Sequence, residues 1–116
     1  MNELIETIFT DFEVDNVKIP VSFLKHKGKE TTYVTYQLES MWNTFTGDDE
    51  LLAYVNYYDF DIYSKGNYLK IVERVKEIMK QNGFMWIPSR SSGDMYEDDT
   101  GLFHITLCFA KEKEEL

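Results

Sequence analysis

The chain has 116 residues and a formal net charge of −9, from 21 acidic and 12 basic side chains. Hydrophobic residues make up 43% and aromatics 16%, enough for one buried core and too apolar for a disordered chain. The charge excludes broad binding to nucleic-acid phosphates or anionic membranes, and a lone cysteine, Cys108, excludes an internal disulfide or a cysteine-built zinc site.

In chain order, residues 2–12 predict a short amphipathic helix, with Leu4, Ile5, Ile8, Phe9 and Phe12 on one stripe. Asp11, Asp15 and Asn16 mark a break. Residues 17–25 alternate as a strand through Val17, Ile19, Val21 and Phe23, and Pro20 confines that strand to an edge or a bulge. Residues 31–39 are β-branched and aromatic, so the Lys25–Lys29 turn with its Gly28 predicts a hairpin with the preceding strand. Residues 40–50 read as a loop ending in Gly47-Asp48-Asp49-Glu50. Leu51 to Ser64 is a long strand. Tyr54, Asn56, Tyr58, Phe60 and Ile62 take one face, and Val55, Tyr57, Asp59, Asp61 and Tyr63 the other.

Gly66-Asn67 is a turn with a cap for the clearest helix, residues 68–82. Its apolar stripe is Tyr68, Ile71, Val72, Val75, Ile78 and Met79, with Glu73/Lys76 and Glu77/Lys80 spaced to pair. Gly83 stands where a C-terminal cap belongs. Phe84–Ile87 starts a strand, Pro88–Gly101 is a polar segment, Leu102–Ala110 is the last strand, and Lys111–Leu116 is a charged tail. The order α-β-β-β-α-β-β predicts an α+β two-layer sandwich. Two helices would cover one face of a mostly antiparallel or mixed sheet of about five strands, with residues 1–116 forming a single domain.

No constellation carries a catalytic signature. Asp59 and Asp61 share a strand face at the separation of paired hydrolytic carboxylates, about 6.5–7 Å by strand rise. Any acidic alternating strand gives the same pattern, and the pair also suits a cation of a neighbouring subunit. Asp48-Asp49-Glu50 and Asp94, Glu97, Asp98, Asp99 lack the spacing of a calcium loop. His26 and His104 are too far apart in sequence to suggest a metal site. Cys108, in an apolar strand, reads as structural. No metal or other cofactor is called for, and the chain reads as a non-enzyme. Tyr57 and Tyr63, with Val55, make that strand face too apolar for plain exposure. The segment Arg90, Ser91, Ser92, Asp94 and Tyr96 is long for a hairpin connection and reads either as a plain loop or as an assembly loop that orders on docking. Those residues, with Tyr57, Asp59, Asp61 and Tyr63, are the candidate interaction set.

Five segments taken together, Ile19–Phe23, Tyr33–Tyr36, Tyr58–Tyr68, Pro88–Asp94 and Asp99–Gly101, resemble the small tail-completion, or tail-terminator, proteins of long-tailed bacteriophages and prophages of Gram-positive hosts. The likeness spans nearly the whole chain. It implies a head–tail joining protein that stops tail growth as a ring, typically a hexamer, and meets three partners. These are further copies of itself, the major tail tube protein and a head-completion or connector protein. It implies no sequence-specific nucleic acid and no membrane. It implies residence in the bacterial cytoplasm during assembly and in the tail or neck of the virion afterwards, and the acidic start Met1-Asn2-Glu3-Leu4 fits a chain without a secretion signal. An acidic subunit suits a channel that DNA must pass without sticking. Another minor tail or connector component, or an acidic phage adaptor for a host protein, fits the same residues.

Overall fold

The computed structural model describes residues 2–47 and 50–114. Helix α1 spans Asn2–Ile8, followed by the short strands β1 (Glu13–Val14), β2 (Val17–Lys18) and β3 (Val21–Phe23). Two long strands come next, β4 (Tyr33–Gly47) and β5 (Glu50–Ser64), then helix α2 (Leu69–Gln81). Strands β6 (Met85–Trp86), β7 (Met95–Glu97) and β8 (Leu102–Glu114) complete the chain. The main sheet is mixed, in the order β3-β4-β5-β8-β6, with β7 also paired to β8. The α+β class stands, with the helices on one face.

The core follows from two periodicities. Even-numbered residues of β5 (Tyr58, Phe60, Ile62) face the helices and are buried with Phe109 and Leu107 of β8 and Val34 and Tyr36 of β4. Against them α2 sets Ile71, Val72, Val75, Ile78 and Met79, and α1 sets Ile5. Phe60 is fully buried, with the rings of Phe9, Tyr36 and Phe109 packed around it at 5.4–5.7 Å. Helix α1 stops at Ile8, short of the expected residue 12, and Phe9 and Phe12 enter the core from the turn that follows. That turn leaves through Asp11 at φ 55°, and Asp15 and Asn16 at φ 53° and 66° close the β1–β2 hairpin. Asp and Asn tolerate the left-handed region better than other side chains.

The strands depart from the sequence reading in four respects. The strand expected over 17–25 breaks at Pro20 into β2 and β3. The expected hairpin between 17–25 and 31–39 does not form, because β3 pairs parallel to β4, Val21 opposite Val34. Leu24, at φ 63°, turns the chain out of β3 with the Lys25 amide donating to the Phe23 carbonyl at 2.7 Å. Residues 25–32 then carry it back to start β4 alongside. The loop expected over 40–50 is strand: β4 continues to Gly47 and β5 starts at Glu50, with Asp48 and Asp49 outside the described residues. The tail expected from Lys111 continues β8 to Glu114.

Helix α2 begins and ends as its sequence implies. The Asn67 side-chain oxygen accepts the Leu69 amide at 2.9 Å, and Gly83, at φ 84°, ends the helix. Its surface pairs differ: Glu77 bonds Arg74, and Lys76 instead lies 3.5 Å over the Trp86 ring.

Candidate functional site

The odd residues of β5 place Tyr57, Asp59, Asp61 and Tyr63 on the sheet face away from the helices. The antiparallel register sets Ala110, Cys108, Thr106 and His104 of β8 opposite them. On the other flank stand Ser40, Gln37, Thr35 and Tyr33 of β4. Two linked constellations result.

The first surrounds Asp61. Its Oδ1 accepts the Thr106 hydroxyl at 2.6 Å and lies 3.0 Å from His104 Nε2. The other nitrogen of His104 lies 3.8 Å from the Glu97 carboxylate. Four rings stack across the strands, His26 on Tyr33 at 4.1 Å, Tyr33 on Tyr63 at 4.8 Å and Tyr63 on His104 at 4.2 Å. Burial, with the negative charge of Asp61 and Glu97, pushes the Tyr63 hydroxyl up to about 12. Both histidines of the chain belong to this one stack, which their sequence separation hid.

The second surrounds Arg90. The turn Pro88–Arg90 crosses the β8 edge and projects Arg90 over the sheet, its guanidinium 3.9 Å from the Tyr57 ring and 5.6 Å from the Trp42 ring. Arg90 donates to Glu39 at 3.0 Å and to Ser40 at 3.3 Å. Beneath it Asp59 holds its proton more tightly than an ordinary aspartate, first through burial and then through the charges of Glu39 and Asp61. The Cys108 thiol is fully buried and pushed up to about 12, by burial and by Asp59 and Glu39. It therefore stays a thiol, without nucleophilic character.

Glu39, Asp59 and Cys108 bring their donor atoms within 4.8 Å of one another, the spacing of a metal site. The donor set fits a metal poorly. Arg90 already pairs with Glu39 at 3.0 Å. The trio is an acid cluster closed by an arginine.

Of the candidate interaction residues, Tyr57, Asp59, Asp61, Tyr63 and Arg90 are brought together on this face. Ser91 and Ser92 turn inward: their hydroxyl oxygens accept the Cys108 and Thr106 amides at 2.9 and 2.8 Å, so they act as edge partners of β8. Asp94 accepts the Tyr68 hydroxyl at the start of α2, and Tyr96 packs on Phe103 with its ring half exposed. The segment from Ser91 to Tyr96 is thus tied to the body along its length. Glu39 and Trp42 were missed. Trp42 falls in the stretch 40–50 that reads as loop, and Glu39 ends the strand read over 31–39, where a bulge between Leu38 and Ser40 breaks the alternation. No family model matches the chain, and no curated protein matches it.

Proposed function

We propose that the chain is a structural assembly subunit of a long-tailed bacteriophage, of the tail-completion kind, which caps the tail tube and joins it to the head connector as a ring. One observation carries the assembly reading. Beyond the helix-covered core, β4, β5 and the end of β8 continue as a three-stranded arm, and the molecule reaches 52 Å in its longest dimension against 28 and 23 Å in the others. Strand β3 covers only Val34–Tyr36 of β4, so β4 from Gln37 onward has no neighbour on that side among the described residues. Leu38, Met41 and Trp42 are exposed there at 41, 62 and 58%. An unpaired, apolar strand edge on a monomer is a pairing or docking element. The acidic residues behind it are engaged by Arg90, Thr106 and His104, an arrangement suited to holding a surface in shape.

The tail assignment rests on the sequence likeness. Its test mixes the purified protein with the major tail tube protein of the same phage and images the tubes by negative-stain electron microscopy. Tubes capped at one end, shortening as more protein is added, are the expected result. Open tubes of unchanged length would refute the capping role.

A further inference from the structure

The arm is electrically two-faced. Lys111 and Lys113 of β8 lie on the helix side, opposite Asn56 and Tyr54, while Glu112 lies on the far side opposite Val55. Lys111 confirms the placement: its ammonium donates to the Asn82 carbonyl at 3.1 Å and lies 4.8 Å from the Phe84 ring centre. Lys76 and Lys80, one turn apart on α2, line the same groove with Phe84 and Trp86. The helix-side face therefore gathers four lysines beside exposed Met41 and half-exposed Trp86. The far face gathers Glu39, Asp59, Asp61, Glu97 and Glu112 around Tyr57 and exposed Trp42, with Arg90 held among them by Glu39.

Resting on the assembly reading, the geometry points to a second copy of this chain as the occupant of these faces. The lysine side of one arm packs on the acidic side of the next, head to tail. A chain of net charge −9 repels its own copies, so self-association needs a contact that sets its few clustered cations against acids. The alternatives fail on sign. An isologous contact that packs one face on its own copy would set lysines on lysines or acids on acids. Antiparallel pairing of two β8 edges about a two-fold keeps each face with itself, so Glu112 would meet Glu112, or Lys113 would meet Lys113, and like charges directly opposite destabilise a strand pair. A head-to-tail contact closes into a ring when its rotation allows.

The test is sedimentation velocity on the purified protein alone, with no tail component present. Glu112, Lys113 and Lys80 are exposed, and circular dichroism checks that their variants fold. The wild type should associate at low salt and dissociate at high salt. Lys80→Glu/Lys113→Glu and Glu112→Lys should each weaken association about tenfold, as expected when exposed pairs turn from attractive to repulsive. An equimolar mixture of the two variants should recover it, since each then offers the face the other lacks. A wild type monomeric at low salt, variants as associated as the wild type, or a mixture without recovery would overturn the inference. Capped tubes with a monomeric wild type would sink this contact alone. Salt-sensitive association with uncapped tubes would sink the tail assignment alone.

Discussion

Replacing Arg90 with alanine tests the outer face most directly. The guanidinium stacks 3.9 Å over Tyr57 and bonds Glu39 at 3.0 Å, with both charged side chains about one-third exposed. The stacking is worth about 0.5–1 kcal/mol, and the ion pair, discounted for solvent screening, about 0.5 kcal/mol. Arg90→Ala should therefore cost about 1–1.5 kcal/mol, a fall in Tm of about 4–6 °C for a chain of this length. The cost should depend on pH. Arg90 partly offsets the upward push on the Asp59 carboxyl, so its loss raises that carboxyl further. A carboxyl that holds its proton more tightly folded than unfolded lowers stability in full above its folded value, and the penalty vanishes below the unfolded value near 3.8. Thermal melts of both proteins should differ most near neutral pH and converge toward the ordinary aspartate range. Asp59→Asn in the wild type should remove part of the same penalty and raise Tm at neutral pH. A Tm loss that is the same at pH 4 and pH 7, or no loss at neutral pH, would refute this account of the cluster.

Cys108, fully buried with its thiol pushed up to about 12, should resist iodoacetamide in the native protein at mildly alkaline pH and react once urea unfolds it; stoichiometric native labelling would contradict its placement. Leu24→Asn should stabilise by about 0.5–1 kcal/mol, because Leu24 sits at φ 63° with most of its side chain in solvent; a lower urea midpoint would show that its side chain matters more than its backbone. Gly83→Ala should cost about 1 kcal/mol by urea titration through the φ of 84° alone, since an added Cβ would come no closer than 3.6 Å to Lys111; an unchanged midpoint would refute a conformational role for this glycine.

The parts legible in the sequence are those where local pattern and tertiary environment agree. Helix α2 shows its apolar stripe, its Asn67 start and its Gly83 stop, and all three act as read. Strand β5 alternates without interruption, so the division of its residues between two faces was readable, including the shared face of Tyr57, Asp59, Asp61 and Tyr63. The pairing of β3 was not readable. A turn-rich segment between two strands favours a hairpin, and nothing local shows that residues 24–32 bring the chain back parallel. The contacts of Arg90 lay equally out of reach, because they join residues about fifty positions apart.

The β4 bulge shows why the arm was hidden and why the outer face exists. Up to Leu38 the register sets Leu38 opposite Tyr58; from Ser40 it sets Ser40 opposite Tyr57, and Glu39 is the extra residue. Were Glu39 paired in regular register instead of bulged, Trp42 would stand opposite Tyr54 on the helix side, and Met41 opposite Val55 on the far side. The insertion exchanges their faces, because strand side chains alternate with period two. It brings Trp42 beside Arg90 and leaves the Glu39 carboxylate free to bond the guanidinium. That step and two further register shifts, between Asn43 and Phe45 and between Phe45 and Thr46, break the alternation of residues 40–47, so the segment reads as a loop. One extra residue therefore builds the arginine clasp on the outer face and turns Met41, rather than Trp42, toward the lysine side. The two faces of the arm differ in both charge and shape because of it, and that difference gives a head-to-tail contact its direction.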